Sequence, residues 1–254
     1  MKALIFTLLL LVSVFSLTSF ADKEFSLTTS PATDTPNTPP DNETLPNNES
    51  LDDLMTTDEL ANEIGAPRTE MRAAVINPEI IAAQDGIDVY REYAIVLRIN
   101  KAPIGPSAQQ MQVMENGMPT ATYLVSTGRE QYEKAKSGRW YWTTTPVGTF
   151  SPYKLVRDHY SYTWKAHMEY AMFFNGGVAV HATTPDHYKE LGRRASGGCV
   201  RVHKDNAIIL WNKVSSQPQK LVPLFNENGR VARDVNGNPI RVMGWNTLII
   251  VENK

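Results

Sequence analysis

The sequence predicts a mainly β domain with few helices, preceded by a long N-terminal region of different character. Short runs rich in β-branched and aromatic residues recur from residue 93 onward, and turn-forming residues separate them. The runs are 93–99, 110–114, 120–126, 148–150, 170–174, 177–181 and 247–251. Glu115-Asn116-Gly117 stands between the second and third runs and is a strong hairpin signal.

Helical periodicity is clear in one stretch of this region, from Lys204 to Val214. One or two short helices are also predicted between residues 57 and 83, where two prolines act as breaks. Residues 226–243 contain two Asn-Gly pairs and therefore predict a hairpin or an extended loop before the last strand. These patterns favour one mainly β domain of about 160 residues.

The first 21 residues have the pattern of a signal peptide. Lys2 supplies a positive charge ahead of an apolar run from Leu4 to Phe15, and Ser19-Phe20-Ala21 places small residues where a signal peptidase reads them. The apolar run is too short to span a bilayer comfortably. We therefore expect export to the periplasm or cell wall, with cleavage after about Ala21. An uncleaved N-terminal anchor is the alternative.

The rest of the chain divides into three predicted parts. Residues 22–56 are dominated by Thr, Pro, Asn, Asp and Ser with almost no apolar periodicity, which predicts a disordered acidic linker. Residues 57–90 form the predicted short helical lead-in. Residues 91–254 form the predicted catalytic domain.

Charge is unevenly distributed, although the formal net charge is only −2. Between Asp22 and Glu63 eleven acidic residues face a single basic one, whereas 23 basic and 16 acidic residues follow Glu63. A basic domain behind an acidic tether suits an anionic polymer as partner. Nucleic acid is not expected, because the chain is predicted to be exported and its basic residues are scattered without interleaved stacking aromatics.

Cys199 is the only cysteine of the sequence. It cannot form an internal disulfide, and an oxidising compartment tends to oxidise or pair a free thiol. Its presence in an exported chain therefore favours a chemical role for the sulfur. The alternative is a buried cysteine that acts as a small apolar residue.

The residues around Cys199 are those that thiol catalysis needs. His181 ends an apolar strand eighteen residues upstream, and an imidazole within reach can take the thiol proton. Gly197 and Gly198 allow the backbone to turn so that the N–H groups of Gly198 and Cys199 converge on a tetrahedral oxyanion. The alternative is a plain glycine turn between two elements.

These motifs together resemble the YkuD-type L,D-transpeptidase catalytic domain. The resemblance lies in His181, in Ser196-Gly197-Gly198-Cys199-Val200-Arg201, and in Thr145-Pro146-Val147-Gly148-Thr149-Phe150. Tyr123 to Gly128 is similar to the strand and turn that in this family come before the Thr-Pro segment. The resemblance covers roughly residues 91–215 and the last strand. Gly197 departs from it, because the family usually has a second histidine there.

The resemblance implies a β-sandwich or mixed sheet with few short helices, and an enzyme that acts on the tetrapeptide stems of peptidoglycan. In such enzymes the cysteine is acylated at the carbonyl of the diamino acid at stem position three, and D-Ala is released. The acyl group then passes to an amine, giving a 3-3 cross-link or the attachment of a protein to the wall. The family positions its histidine with a backbone carbonyl, which here would be that of Ala182 or a close neighbour. Asp186 and Asp205 are the alternative orienting groups.

Substrate contacts are also expected from the resemblance, at Arg201 and Ser196. The segment 157–170 is dense in aromatics, and the corresponding region of the family often supplies a flap over the cleft. Arg157 or Arg201 is expected to pair with a stem carboxylate. Ordinary strand packing is the alternative for any single residue of the segment.

Several alternative functions stay open at this point. An L,D-carboxypeptidase would use the same cysteine and histidine with water as acceptor. An inactive wall-binding module is a further alternative, because Gly197 replaces the usual histidine. A papain-like protease is disfavoured, since those enzymes place the cysteine before the histidine. The histidine spacings match no standard metal-ligand pattern, so we predict neither a metal nor a cofactor. The oligomeric state is left open.

Overall fold

The main element of the structure is a nine-stranded sheet. The computed structural model describes residues 51–70, 77–161, 166–226 and 228–254. The strands in these residues are β1 (Ile95–Asn100), β2 (Gln110–Glu115), β3 (Met118–Ser126), β4 (Tyr132–Lys134), β5 (Trp140–Trp142), β6 (Gly148–Phe150), β7 (Lys154–Ser161), β8 (Ala166–Asn175), β9 (Val178–Ala182), β10 (Val200–Val202), β11 (Gln219–Pro223), β12 (Arg241–Trp245) and β13 (Thr247–Glu252).

The helices of the described residues are short. They are α1 (Leu51–Leu54), α2 (Thr57–Glu63), α3 (Pro78–Ile80), α4 (Val89–Glu92) and α5 (Lys204–Ser215). A π-helical turn at Ile81–Asp85 follows α3, and a 3₁₀ helix spans Pro185–Glu190. None of the helices in this part of the chain is long and apolar enough to cross a membrane. The predicted signal peptide lies outside the described residues.

The large sheet has the order β6-β13-β1-β2-β3-β10-β9-β8-β7. The pairs β1/β13 and β9/β10 are parallel, and the other neighbours are antiparallel, so the sheet is mixed. Strands β11 and β12 form a separate pair, as do β4 and β5. The predicted mainly β fold, with a curled mixed sheet and few short helices, is confirmed.

The main core lies on one face of this sheet, where alternate residues of its strands meet α5. On β9 and β10 the inward residues are Val178, Val180, Val200 and Val202, and Leu210 of α5 packs in the same cluster. Because side chains alternate between the faces of a strand, the residues between these valines lie on the opposite face. They include His181 and Arg201.

The predicted hairpin between β2 and β3 is present. Its two central residues, Asn116 and Gly117, have φ angles of 48° and 80°. Both are positive, as in the type I′ turn that matches the twist of antiparallel strands. Asparagine tolerates this conformation better than most residues and glycine adopts it freely, which is why the dipeptide signalled the turn.

The N-terminal helices cover the second face of the sheet. Leu51, Leu54 and Met55 are buried there against Met168 and Phe173 of β8. Residues 51–56 were predicted to belong to the disordered linker, and the structure corrects that boundary. Their local composition is polar, but the apolar side chains among them pack in a cluster that includes the distant strand β8, which no local pattern reveals.

Helix α2 begins with a reciprocal capping arrangement. The Thr56 hydroxyl accepts the Glu59 N–H at 3.1 Å, and the Glu59 carboxylate accepts the Thr56 N–H at 2.9 Å. At the other end of the helix, Glu63 accepts a hydrogen bond from Ser161 of β7 at 2.9 Å. Such a short helix is marginal by itself, so these contacts and its buried face fix its place.

Two other predicted regions differ in detail from expectation. The segment 226–243 contains isolated bridges, Phe225 to Val231 and Arg233 to Pro239, and its last residues belong to β12, which pairs with β11. The aromatic segment 157–170 belongs to the β7–β8 hairpin. The apex of that hairpin, residues 162–165, lies outside the described residues, and with it the tip of the predicted flap.

Replacing Gly117 by alanine is expected to lower the free energy of unfolding by about 1 kcal/mol, because an L-residue is strained at positive φ. A Cβ at this position would lie 3.5 Å from the Tyr90 carbonyl oxygen, an ordinary contact, so backbone strain is the main cost. Urea denaturation of wild type and Gly117→Ala measures the difference. An unchanged midpoint would show that the turn is not held in this conformation.

Acidification is expected to lower the free energy of unfolding through His159 of β7, because charging its buried ring is unfavourable. Burial lowers the pKa of His159, with Lys154 acting in the same direction and Glu63 and Asp158 opposing it. The folded state thus favours the neutral ring, so the full contribution to stability is present above the unfolded pKa of about 6.5 and is lost as the pH falls below it. Urea denaturation across this range should show a smaller pH dependence in His159→Gln than in wild type.

Candidate active site

The parallel pairing of β9 and β10 places the predicted catalytic residues on one face of the sheet. Val180 lies opposite Val200, and His181 lies opposite Arg201. Cys199 directly precedes β10, so it points to the same face as Arg201, two residues further on. Cys199, His181 and Arg201 are all buried, with exposed fractions of 0 %, 1 % and 1 %.

A backbone carbonyl holds the imidazole of His181. Its Nδ1 lies 2.7 Å from the carbonyl oxygen of Ala182. A carbonyl can only accept, so Nδ1 carries the proton and a neutral ring presents an unprotonated Nε2. This is the contact that the sequence resemblance implied. Neither Asp186 nor Asp205 is needed to fix the ring in this tautomer.

The loop before Cys199 is held by a hydroxyl of its own. Ser196 Oγ donates to the Cys199 carbonyl oxygen at 2.6 Å and accepts the Gly198 N–H at 3.1 Å. Ser196 is fully buried. Its observed contacts are therefore made within the loop, and a contact between Ser196 and substrate stays a prediction. Gly197 is buried in the same loop.

Thr145 connects this loop to the Ser126-Thr127-Gly128 turn. It is the first residue of the segment 145–150, which we call the Thr-Pro element. Its hydroxyl donates to the Gly198 carbonyl oxygen at 2.7 Å and accepts the Gly128 N–H at 2.9 Å. Gly198 has a φ of 143°, a conformation that favours glycine. A Cβ at Gly128 would lie 2.3 Å from the Thr143 carbonyl oxygen, so only glycine allows this approach.

A buried lysine, Lys101, binds the start of the Thr-Pro element through hydrogen bonds. Lys101 Nζ donates to Glu130 at 2.8 Å, to the Thr144 hydroxyl at 3.1 Å and to the Thr145 carbonyl oxygen at 2.7 Å. Desolvation lowers the pKa of Lys101, and the carboxylate of Glu130 opposes that effect. A buried ammonium with three acceptors fixes the loop geometry more strongly than packing alone.

Two arginines lie beside the Cys199 loop and share one carboxylate. Arg201 Nη2 contacts Asp53 Oδ2 at 2.7 Å, and Arg129 Nη1 contacts Asp53 Oδ1 at 3.1 Å. Arg201 also pairs with Glu190 at 3.0 Å, and Arg129 with Glu133 at 2.6 Å. The guanidinium of Arg129 in addition donates to the Ala195 carbonyl oxygen at 2.7 Å.

Cys199 itself lies beneath the N-terminal helices. It belongs to the apolar cluster that includes Leu51, Leu54 and Leu60. Its thiol is directed at the Gly177 carbonyl oxygen, at 3.6 Å. The neighbouring Tyr153 hydroxyl donates to the Gly176 carbonyl. Desolvation of that hydroxyl, with a smaller contribution from negative charge at Cys199, raises the pKa of Tyr153 to about 12, although its ring is partly exposed.

A cleft of about 660 Å³ lies beside α2, which forms part of its wall. Its walls include Thr57 of α2, Thr144, which directly precedes the Thr-Pro element, and the exposed rings of Trp140 and Trp142. Cys199 and His181 do not line it. In this structure the cleft therefore stops at residues that themselves touch the Cys199 loop.

Arg157 and the histidines other than His181 make contacts within strands and helices. Arg157 of β7 lies over the Tyr170 ring at 5.9 Å. His167 pairs with Asp158 at 2.8 Å, and His203 begins α5. Among the residues that the structure describes, no group of three or more His, Cys, Asp or Glu side chains is placed to hold a metal.

Sequence reasoning did not identify three contributors to this site. Arg129 directly follows the Ser126-Thr127-Gly128 turn, whose position beside the Cys199 loop was the available signal. The role of Thr145 was contained in the Thr-Pro element, but its hydroxyl contacts were not predicted. Asp53 offered no signal, because it belongs to a segment read as linker.

The sequence matches the family model of the L,D-transpeptidase catalytic domain, YkuD, over residues 96–242. This range is more than half of the chain, and it contains His181 and the Cys199 loop. The chain therefore belongs to the L,D-transpeptidase catalytic domain family, and its fold is that of an enzyme of this class. No curated protein matches the sequence.

Solved structures similar to this chain are L,D-transpeptidases. The one from Xylanimonas cellulosilytica is 25 % identical, with a TM-score of 0.42, and the match covers 77 % of this chain and 76 % of that one. Those from Mycobacterium smegmatis and Mycobacterium tuberculosis H37Rv are 16 % and 18 % identical, with TM-scores of 0.40 and 0.39. Each of these two matches covers 63 % of this chain, which spans only 59 % and 58 % of theirs.

Replacing Thr145 by valine is expected to destabilise the protein by about 2 to 4 kcal/mol, because it leaves the buried Gly198 carbonyl and Gly128 N–H without their partner. Urea denaturation measures this cost. Thr122→Val, on the exposed face of β3, is the matched control and should stay within about 0.5 kcal/mol of wild type. Equal effects of the two substitutions would contradict the role of the Thr145 hydroxyl.

Proposed function

We propose that this chain is an exported cysteine L,D-transpeptidase that acts on the tetrapeptide stems of peptidoglycan. The observation that carries the proposal is the placement of Cys199 and His181 on one face of neighbouring parallel strands, with His181 Nδ1 fixed on the Ala182 carbonyl. Membership of the L,D-transpeptidase family supports the reaction class. The signal-peptide pattern of residues 1–21 supports export to the periplasm or wall, where this substrate is found.

In the first step His181 Nε2 takes the proton of the Cys199 thiol, and the sulfur attacks the carbonyl of the diamino acid at stem position three. The tetrahedral oxyanion collapses to a thioester as the peptide bond to D-Ala breaks. The departing amine of D-Ala takes the proton from His181. The step therefore leaves an acyl-enzyme, free D-Ala and a neutral imidazole.

In the second step an amine attacks the thioester carbonyl and passes a proton to His181 Nε2. Sulfur leaves and recovers a proton from the ring, which restores the thiol and the neutral histidine. The acceptor amine belongs to the diamino acid of a second stem, which gives a 3-3 cross-link, or to a protein that becomes attached to the wall.

The oxyanion is expected to be stabilised by the backbone N–H groups of Gly198 and Cys199. In this structure the Gly198 N–H donates to Ser196 Oγ. Stabilisation of the oxyanion by this group therefore requires that it exchange the hydroxyl for the substrate oxygen. Arg201 supplies positive charge on the same face for a stem carboxylate.

Mass spectrometry of purified disaccharide-tetrapeptide after incubation with the protein tests the reaction. Wild type is expected to give dimers that have lost one D-Ala, and Cys199→Ala should give none. His181→Gln should be slower by about 100-fold or more, the usual cost of removing a general base. His167→Gln, which alters an exposed histidine of β8, is the matched control and should keep wild-type activity.

Other outcomes of the same experiment would assign a different function. Tripeptide without dimers would show that water is the acceptor and that the enzyme is an L,D-carboxypeptidase. Unchanged substrate with both wild type and Cys199→Ala, under conditions in which the Cys199 thiol reacts with a small alkylating agent, would contradict the catalytic proposal and favour a wall-binding module.

A further inference from the structure

We propose that Arg129 and Arg201 form a carboxylate-binding site that Asp53 of the same chain occupies, so that residues 51–64 must leave the sheet before substrate reaches Cys199. We call residues 51–64 the cover segment. That the displaced ligand is a peptidoglycan stem rests on the function proposed above, whereas the occlusion of Cys199 by the cover segment does not.

Asp53 makes the contacts that a free carboxylate would make. Its two oxygens are divided between the arginines, Oδ2 on Arg201 at 2.7 Å and Oδ1 on Arg129 at 3.1 Å. Glu190 and Glu133, the other acidic partners of the two arginines, belong to the catalytic domain and stay in place. Asp53 is thus the one of these three carboxylates that a movement of the cover segment would remove. Its departure would leave each arginine paired with one glutamate and would release the guanidinium N–H groups that now bind Asp53 for another carboxylate.

Thr57 of the cover segment lies directly on the β8–β9 turn through its backbone and on the Cys199 loop through its side chain. A Cβ at Gly177 would be only 1.9 Å from the Thr57 carbonyl oxygen. A Cβ at Gly198 would be 2.9 Å from Thr57 Cγ2. These distances leave no space for a peptide between α2 and the loop. The thiol of Cys199 is accordingly fully buried, and a stem cannot reach it in this arrangement.

The cover segment differs from the catalytic domain in its relation to the family and is held in place by its contacts. It lies outside the family match, which begins at residue 96. Helices of four and seven residues are not stable alone, so the segment is held by its contacts with the sheet. Besides its apolar side chains and Asp53, these contacts include Glu59 with Arg139 at 3.0 Å, Ile64 O with Lys154 at 2.7 Å and Glu63 with Ser161 at 2.9 Å.

The adjoining cleft shows where a substrate would enter. Thr57 and Thr144 line the cleft, and both also lie next to Gly198. Because α2 forms much of the cleft wall, its departure would leave the opposite wall, with Trp140, Trp142 and Thr144, open towards the Cys199 loop. A stem that bound there with a carboxylate on Arg129 and Arg201 would compete with Asp53 for the same groups.

Alkylation of Cys199 by iodoacetamide in the full chain measures the occlusion without any peptidoglycan. Asp53→Asn removes the charge that both arginines bind, so alkylation should be at least about tenfold faster than in wild type, which corresponds to losing a single charge-assisted hydrogen bond. Asp58→Asn removes an exposed carboxylate from the same segment and should leave the rate within about twofold. Equal rates in wild type and Asp53→Asn would overturn the proposal.

Gly177→Ala tests the same point by steric means and does not depend on how well Asp53→Asn folds. The added methyl cannot coexist with the Thr57 carbonyl, so the cover segment should lift and Cys199 should again react faster. Circular dichroism confirms that the sheet of each variant is intact. A folded Gly177→Ala protein with a wild-type alkylation rate would contradict the proposal.

The ligand is tested on the Cys199→Ala chain with disaccharide-tetrapeptide and with the same compound amidated at its peptide carboxyl groups. The free acid should bind more tightly than the amide by calorimetry, and Asp53→Asn should increase that preference. Bound free acid should also accelerate hydrogen exchange at the Leu60 and Ile64 amides of the cover segment.

The outcomes separate this inference from the proposed function. If both compounds bind equally, or if the amides of the cover segment stay protected while the peptide is bound, competition between Asp53 and substrate is wrong. If neither compound binds but Asp53→Asn still exposes Cys199, the occlusion is correct and the stem is the wrong ligand.

Discussion

The parallel register of β9 and β10 is the constraint on which the rest of the site depends. It sets His181 opposite Arg201 and brings Cys199 to the same face, while the alternating valines of both strands fill the core behind them. A shift of one residue in either strand would turn its polar residues into the core and its valines outward. The apolar core and the opposite face therefore specify each other, and the burial of the valines keeps His181 and Cys199 on one face of the sheet.

Much of this arrangement could be predicted from the sequence because it depends on local patterns. Alternating apolar residues marked most strands of the sheet, and Asn116-Gly117 marked the β2–β3 turn with its positive φ angles. The carbonyl contact of His181 followed from the family resemblance and is present at Ala182. The glycines of the Cys199 loop were understood as backbone requirements, which the φ of Gly198 agrees with.

What could not be predicted depends on contacts between residues far apart in the chain. Residues 51–56 are polar enough to resemble a linker, and the helix there is favoured by burial of its apolar side chains against β8 and the rest of their cluster. Asp53 and Arg201 are separated by 148 residues in the sequence. The excess of acidic residues before residue 64 and of basic residues after it is consistent with such a pair, but it does not indicate which residues pair. Ser196 was expected to face substrate, but its hydroxyl satisfies the backbone of its own loop, a need that becomes visible only when the loop is folded.

The buried ammonium of Lys101 has a consequence for how this protein can change in evolution. Its charge is balanced by Glu130, and its remaining protons are donated to the Thr144 hydroxyl and to the Thr145 carbonyl beside the Cys199 loop. Loss of Glu130 would leave the Lys101 ammonium buried without its counter-charge, whereas loss of Lys101 leaves a carboxylate that solvent partly reaches. Among homologues Glu130 should consequently be kept wherever Lys101 is present, and the replacement of Lys101 should come first.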